Sequence, residues 1–395
     1  MTNSNFPPQD IYIIGVGMTP AGEHWEKSLR ELALDAMIPA RQEAGGIAPE
    51  ALYVANMLAP VLSRQSHLGA LLADFAGMRG IEAVTLEAAG ASGGMALRHA
   101  VMAIASGLVR SALVVGVEKF SERVSSEIEA ALSTAGDADF ESVHGVTQTA
   151  LAAMLMRRYQ VEFSAPSDAF AGFSVTAHAN GAGNPLAMFQ RAIKAESYQR
   201  AGMVSDPLNM FDAAPMADGA AALMVAAGDA IPADSRYPKI RIAASSAAVD
   251  AVALHDRRDP LDFSAVRDST AEALKQARLE RDQIDLFEVH DRYTIYSALT
   301  LEAAGYAERG KAWQLAQNGQ VSLNGSLPIT TFGGSKARGD TGGANGVYQA
   351  AEATLQLQGR AGEIQIRNAK TAMIQALGGA GATAVTHILT GSETA

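Results

Sequence analysis

The chain has 395 residues with a formal net charge of −11, 48% hydrophobic residues, 18% charged residues and no cysteine. This length predicts two or three domain-sized units, and the hydrophobic fraction is sufficient for a large buried core, which excludes global disorder. The acidic charge argues against a nucleic-acid partner, and the lack of cysteine excludes disulfides and thiolate metal sites.

No apolar run reaches the roughly 18 residues that indicate a membrane span. The first ten residues, MTNSNFPPQD, have the pattern of neither a signal peptide nor a transit peptide. We therefore expect a cytoplasmic protein with no membrane partner. His67, His144 and His178 lack the spacing of metal ligands, so no metal site is expected.

Short apolar runs alternate with amphipathic stretches along the chain. The runs typical of strands are Ile11–Val16, Ala83–Glu87, Ala112–Val117, Ala220–Ala226, Lys239–Ala244, Leu286–Val289, Thr371–Ala376 and Ala384–Leu389. The stretches with helical periodicity are Leu29–Gln42, Leu68–Met78, Gly94–Ser106, Val266–Arg278 and Gly346–Gln358. Strands that alternate with helices indicate βαβ units, so we expect an α/β protein with largely parallel, buried sheets.

The chain contains two similar halves. In each half a late strand leads through a glycine-rich junction into a helix, with the sequence EAAGASGG at residues 87–94 and GDTGGANG at residues 339–346. We expect an N-terminal half of residues 1–235 and a C-terminal half of residues 236–395, with the seam between Pro232 and Pro238. Residues from about 121 to 210 are richer in polar residues and helix formers, and they are predicted to form a loop domain inserted into the first half.

The glycine-rich junctions have two possible uses. Glycine lets the backbone approach a ligand closely and lets helix N–H groups point at a developing negative charge. Glycine also permits close packing of a helix on a sheet without any ligand. Either junction alone is compatible with both interpretations.

Eight short motifs follow one another in a fixed order. They are IGVG at residues 14–17, QSHLGA at 65–70, ASGGMALR at 91–98, VVGVEK at 114–119, DGAAA at 218–222, EVHD at 288–291, GGSKARG at 333–339 and GGAG at 378–381. In order and spacing these motifs resemble the thiolase superfamily over nearly the whole chain. The most similar types are the sterol-carrier-protein-x thiolases and the archaeal acetyl-CoA acetyltransferases.

This resemblance implies a thiolase fold, in which two similar βαβ halves form a five-layered α/β/α/β/α sandwich. It implies an acyl-CoA thioester as substrate and no tightly bound cofactor. It also implies self-association as a dimer and an accessory partner that carries an OB fold and a zinc ribbon. Residues that bind the CoA moiety are not indicated by any motif.

Thiolases use a nucleophilic cysteine at a helix N-terminus, a histidine that activates it, a second acid/base and an oxyanion hole. At the matching positions this chain has Gly90 instead of the cysteine, and Asp340 instead of the histidine of the Gly-His-Pro motif. His290 of the His-Asp motif is retained, but Arg292 occupies the position that can hold a second cysteine. Acyl-cysteine catalysis is therefore excluded. Ser92 is a poor replacement because two helical residues turn its side chain about 200° away.

The remaining groups form an acid/base set without a nucleophile. His290 is expected to titrate near neutral pH as the principal acid/base, with Asp340 orienting it, raising its pKa or sharing its proton. Tyr293 can protonate an alkoxide or enolate, and the backbone around Gly90 and Gly379 can hold an oxyanion. Such a set fits chemistry at a carbon–carbon bond of an acyl-CoA thioester, such as aldol or retro-aldol reaction.

Each of these residues also has a structural interpretation. His290 follows a buried strand and can be a hydrogen-bonded core histidine. Asp340 can cap the following helix. Arg292 can bind a CoA phosphate, a neighbouring carboxylate or a purely structural partner. A second hypothesis is therefore a catalytically silent thiolase-fold subunit in a hetero-oligomeric acyltransferase complex, beside a second thiolase-like subunit that has the cysteine.

Overall fold

The computed structural model describes residues 10–232 and 237–391, so the predicted domain boundary at residues 235 and 236 lies outside the described residues. Nine of the described strands form one sheet and β5 and β6 form a separate pair. The strands are β1 Ile11–Met18, β2 Ala51–Ala55, β3 Glu82–Leu86, β4 Ser111–Glu118, β5 Met203–Ser205, β6 Leu208–Asn209, β7 Gly219–Ala227, β8 Ile240–Val249, β9 Leu286–Glu288, β10 Thr371–Gly378 and β11 Thr383–Gly391.

Helices separate most of these strands. They are α1 Leu29–Glu43, α2 Leu68–Phe75, α3 Ser92–Ala105, α4 Ser125–Ser133, α5 Gln148–Phe163, α6 Ala171–Gly181, α7 Ala195–Gln199, α8 Ser264–Ala277, α9 Thr294–Ala303, α10 Ala312–Gln317, α11 Gly334–Ala337 and α12 Asn345–Leu357. Local sequence explains several helix ends: α1, for example, begins at a capping box in which the Ser28 backbone N–H donates to the Glu31 carboxylate at 2.8 Å. The segment predicted as an inserted loop domain contains α4 to α7 and the short β5–β6 pair.

The two halves repeat one strand order. The large sheet runs β3-β2-β4-β7-β1-β8-β11-β10-β9. In the first half this is the third, second, fourth, fifth and first strand of that half. Read from its own outer edge, the second half has the same order if the isolated bridge between Phe287 and Ile329 is counted as its third strand. The halves meet where β1 pairs with β8 through Tyr12 with Arg241 and Ile13 with Ile240.

The expectation of largely parallel sheets is wrong. Within the described sheet, β2 pairs in parallel with β3 and β4, and β9 pairs in parallel with β10, whereas the other five neighbouring pairs are antiparallel. The βαβ rule applies only to the strands that a single helix connects. Strand β11 follows β10 through a tight turn and so must run antiparallel to it. Strand β7 follows β4 only after the long segment that contains α4 to α7, which returns the chain antiparallel to β4.

The five-layered sandwich implied by the resemblance to thiolases is present, with the two halves of the continuous sheet, joined through β1 and β8, as its two β layers. Helices α3 and α12 contact each other and strands of both halves, which places them in the central layer. Helices α1 and α2 cover the outer face of the first half, and α8 covers β8 and β11 of the second. Many buried alanines line the central helices, because small side chains let helices pack tightly between two sheet layers.

The N-termini of α3 and α12 meet through glycine. A Cβ atom at Gly93 would lie 2.7 Å from the backbone nitrogen of Val347 and 2.8 Å from that of Gly346. No residue with a side chain fits at such a distance, so glycine is required for this contact. The contact brings both glycine-rich junctions, one from each half, to the same place in the molecule.

Candidate active site

Gly90 lies in the turn that connects β3 to α3. The preceding Ala89 has a left-handed φ of 50°, which is unfavourable for a residue with a side chain. The buried Ser92 hydroxyl stabilises this turn, since it accepts from the Ala88 N–H at 2.9 Å and donates to the Ala89 carbonyl at 2.6 Å. The Ser92 oxygen is therefore used within the turn, which argues against Ser92 as a substitute nucleophile.

Neighbouring atoms close the space that a side chain at position 90 would need. A Cβ atom at Gly90 would lie 2.6 Å from the carbonyl oxygen of Leu377 and 3.0 Å from Cε1 of His290. Both distances are shorter than ordinary van der Waals contacts, and the Leu377 atom belongs to the backbone of β10. The imidazole of His290 and the end of β10 thus lie directly against Gly90.

His290 follows β9 and is 3% exposed. Burial lowers the pKa of His290 to about 4, and Arg292 and Arg338 add to this, while Asp340 acts in the opposite direction. The expectation that His290 titrates near neutral pH is therefore wrong, because burial outweighs the effect of Asp340. Its Nδ1 atom has no hydrogen-bond partner among residues 10–232 and 237–391. The imidazole is therefore neutral at pH 7. A core histidine with a purely structural role would have Nδ1 hydrogen-bonded, and within the described part of the chain this one does not.

The two carboxylate oxygens of Asp340 have different surroundings. Oδ1 accepts from the Gly342 N–H at 3.0 Å and from the side-chain amide of Asn345, so it caps the turn that leads into α12. Oδ2 lies 3.4 Å from Nε of Arg292. Burial raises the pKa of Asp340, but Arg292, His290 and the two hydrogen bonds outweigh burial and hold this pKa below its usual value. Asp340 is therefore ionised at pH 7.

Arg292 is the cation of this site. In addition to Asp340, its guanidinium contacts the sulfur of Met216 at 3.8 Å and lies 5.5 Å from the ring centre of Tyr293. The side chain is 11% exposed. The sequence left open whether Arg292 binds a CoA phosphate, a neighbouring carboxylate or a structural partner. Among the described residues, Asp340 supplies the neighbouring carboxylate.

Tyr293 and Gly379 lie at the margins of the site. The Tyr293 hydroxyl is 2.9 Å from the Thr149 hydroxyl of α5, and no hydrogen bond links it to His290 or Asp340 in the described part of the chain. Gly379 has a φ of +57° in the turn between β10 and β11. The adjacent Gly378 packs against the turn before α3, because a Cβ atom there would be 2.5 Å from the Ala88 carbonyl oxygen. The two backbone turns that were expected to hold an oxyanion are thus in contact.

A buried ionic network lies behind the site, and the sequence reasoning missed it. Arg338 pairs with Glu352 at 2.8 Å, and both side chains are at most 2% exposed. The backbone N–H of Ser335 donates to the carboxylate of Asp291 at 2.6 Å. The Lys336 ammonium donates to the Asp212 carbonyl at 2.6 Å. Two cations within the otherwise uncharged, glycine-rich stretch of residues 327–339 were the available signal.

Glu118 of β4 connects the first half to the second junction. It is 1% exposed, and burial raises its pKa to about 7. Its carboxylate accepts from the backbone N–H groups of Met57 at 3.0 Å and Gly343 at 3.1 Å. Because Gly343 lies three residues after Asp340, this contact fixes the position of the Asp340 turn against β4.

The described residues provide acid/base groups and hydrogen-bond donors. Within residues 10–232 and 237–391, no group of three or more histidine, aspartate or glutamate side chains is arranged to hold a metal ion. In the same ranges no helix combines the length and the apolar character needed to cross a membrane. The arrangement of His290, Asp340 and Arg292 can move a proton and stabilise charge on an oxygen atom.

Comparison with known proteins agrees with the architecture. The model of the "Thiolase, N-terminal domain" family matches residues 11–229, and the "Thiolase C-terminal domain-like" model matches residues 246–391. An acetyl-CoA acetyltransferase from Methanothermobacter thermautotrophicus is 38% identical, over 96% of this chain and 99% of the relative. A 17-hydroxy-3-oxo-4-pregnene-20-carboxyl-CoA lyase from Mycobacterium tuberculosis is 28% identical, over 88% of this chain and 91% of the relative.

Among solved structures, the Ltp2-ChsH2(DUF35) aldolase is similar with a TM-score of 0.82 at 21% identity, covering 98% of this chain and 99% of the other. At this identity the similarity supports the fold alone. The two family models together match most of the chain, and the methanogen relative is similar over almost its full length. The chain therefore belongs to the thiolase family.

Proposed function

We propose that this protein catalyses an aldol or retro-aldol reaction on an acyl-CoA thioester, without a covalent acyl-enzyme. The observation that carries the proposal is the closure of position 90. The Leu377 carbonyl and the His290 ring occupy the space next to Gly90, so a nucleophile is absent and its space is filled. Groups for proton transfer nevertheless remain in place beside it.

The retro-aldol reaction needs only these groups. A proton leaves the 3-hydroxyl, the bond between the α-carbon and the β-carbon breaks, and its electron pair moves into the enolate of the thioester. The enolate then takes a proton at the α-carbon. The reaction is redox-neutral and uses a base, an acid and donors to the enolate oxygen. We assign proton transfer to His290 and Asp340, with Tyr293 as a further donor and the backbone at Gly90 and Gly379 as the oxyanion site.

The relatives support this choice of reaction. The mycobacterial relative is named as a CoA lyase, and the structural neighbour is named as an aldolase. The methanogen relative is named as an acetyltransferase, but acyl transfer through a cysteine cannot occur in a chain without cysteine. Chemistry at a carbon–carbon bond is therefore the activity that agrees with both the family and the residues present.

A partner subunit is part of the proposal. The structural neighbour is named for two components, Ltp2 and ChsH2(DUF35), which supports the expectation of an accessory subunit. We also propose self-association as a dimer. Strand β3 is an edge strand whose second side has no partner strand in the described sheet, and such an edge is suited to contact between copies. Light scattering of the purified chain, with and without the accessory subunit, tests both assemblies.

The experiment for the activity compares the wild type with His290→Ala and His144→Ala. The substrates are 3-hydroxyacyl-CoA thioesters of increasing acyl length, and the product measured is the released aldehyde or ketone. His144 is exposed and lies outside the site, so its variant controls for general effects of removing a histidine. We expect a loss of at least about a hundredfold in kcat for His290→Ala only. Full turnover by folded His290→Ala would overturn the mechanism.

The burial of His290 and Asp340 favours the silent subunit as a second candidate, because both side chains are at most 3% exposed. This alternative predicts no turnover by the chain, alone or with its accessory subunit. It also predicts that activity appears only when a cysteine-containing thiolase subunit is added. Turnover by the chain without such a subunit would exclude it.

A further inference from the structure

Arg292 and Asp340 form a buried ion pair in which the facing atoms make no hydrogen bond to a described residue. Nε of Arg292 and Oδ2 of Asp340 are 3.4 Å apart, close enough for an ion pair. Both atoms are buried, and neither has a hydrogen-bond partner in the ranges that the structure describes. Buried polar atoms without hydrogen bonds are costly, so a group from outside the chain is expected to satisfy them.

The chemistry of the two atoms specifies that group. Nε of Arg292 is a donor that needs an acceptor, whereas the ionised Oδ2 of Asp340 is an acceptor that needs a donor. A hydroxyl group can accept one hydrogen bond and donate another through the same oxygen. A ketone can accept from Arg292 but cannot donate to Asp340, and a carboxylate would be repelled by Asp340.

We propose that Arg292 and Asp340 together bind the 3-hydroxyl of a 3-hydroxyacyl-CoA, and that Arg292 is a catalytic residue. This inference rests on the proposed function and assigns the two residues that hold its reacting hydroxyl. The hydroxyl donates to Oδ2 of Asp340 and accepts from Nε of Arg292. During cleavage its proton passes to Asp340, the carbon–oxygen double bond forms, and the bond to the α-carbon breaks. The electron pair of that bond enters the thioester enolate. The enolate takes a proton at the α-carbon and Asp340 gives up the proton that it accepted, so the cycle consumes no net proton.

The rest of the site is compatible with this placement. Asp340 is fixed through its other oxygen by Gly342 and Asn345, so only Oδ2 is available to the substrate. The guanidinium of Arg292 is positioned by Tyr293 and Met216, and it stays charged throughout the reaction. A fixed cation beside the reacting oxygen stabilises negative charge that develops there as the proton leaves.

The first test compares binding to the wild-type protein by isothermal titration calorimetry. The probes are 3-hydroxybutyryl-CoA, butyryl-CoA and acetoacetyl-CoA. We expect 3-hydroxybutyryl-CoA to bind at least about tenfold more tightly than either of the others, because only its hydroxyl satisfies both atoms. Equal affinity for the three thioesters would overturn the inference, since water would then satisfy the pair equally well.

The second test uses variants and measures turnover of 3-hydroxyacyl-CoA. Arg292→Gln is expected to lose the tenfold preference for the hydroxyl and to lower kcat, and Arg292→Lys to restore part of both. Arg267→Gln removes an exposed arginine from another surface and serves as the control. If the wild type cleaves the substrate and Arg292→Gln keeps the same kcat and the same preference for the hydroxyl, only this inference is refuted. Tight hydroxyl-dependent binding without cleavage would refute the proposed function instead.

Discussion

Restoring a side chain at position 90 should destabilise the fold even when it is only a methyl group. In Gly90→Ala the new Cβ atom would meet the Leu377 carbonyl oxygen at 2.6 Å and the His290 ring at 3.0 Å. The first contact is with backbone inside the sheet, so it cannot be relieved by a rotamer change. Overpacking of this kind costs about 1–3 kcal/mol, and we expect a loss of about 2 kcal/mol in the free energy of unfolding.

Gly202→Ala is the matched control for this substitution. A Cβ atom at Gly202 would have no heavy atom within 4 Å, and its φ lies outside the left-handed region. The same change there should be neutral or stabilise by up to about 1 kcal/mol, through the unfolded state. Urea denaturation followed by circular dichroism measures both variants against the wild type.

The refuting result is specific. If Gly90→Ala unfolds at the same urea concentration as Gly202→Ala, the space beside Gly90 is open. The nucleophile position would then have room for a side chain. Gly90→Cys extends the test, since a closed position should give no acyl adduct by mass spectrometry after incubation with acetyl-CoA.

Three further predictions concern pH and charge. The acid limb of kcat/KM should lie near pH 4 rather than pH 6.5, because the pKa of His290 is about 4; a limb near pH 6.5 in a pH–rate profile would contradict this. Burial also lowers the pKa of His387 from 6.5 to about 4, so the wild type should lose stability as pH falls from 6.5 to 4. In His387→Gln this loss should be smaller by up to about 3 kcal/mol, which urea titrations at several pH values measure. Arg338→Met should cost about 1–3 kcal/mol, because it leaves the buried Glu352 carboxyl, whose pKa burial raises to about 8, without its partner. Arg309→Met, at an exposed ion pair, should cost less than about 1 kcal/mol, and equal urea midpoints for the two variants would contradict this.

The main elements could be predicted from sequence because their apolar patterns are long. The predicted helix Leu29–Gln42 is α1, Leu29–Glu43, and the other predicted helices and strands agree within a few residues. Strand β2 was missed because its five residues, ALYVA, are too few to show a period. Strand direction could not be predicted from the residues of a strand, because it depends on how the preceding connection returns the chain.

The site was predictable in position but not in its electrostatics. Motif spacing identified His290, Asp340 and Gly90, and the structure brings His290 against Gly90. The pKa of His290 depends on burial by elements distant in sequence, so a neutral-pH value was the reasonable but wrong expectation. The opposite roles of the two Asp340 oxygens likewise depend on Arg292 and Asn345, which lie on separate elements.

The glycine contact between α3 and α12 has a consequence for access to the site. Because Gly93 lies directly on the backbone at Gly346, the two halves are held together at the point where the reaction is proposed to occur. The halves cannot separate about a hinge there without breaking this contact. We therefore expect a thioester to enter through movement of side chains near the site, and the half-buried Met216 beside Arg292 has a flexible side chain suited to it. The backbone contact between the halves would hold the reacting atoms in place, and flexible side chains around the site would admit the substrate.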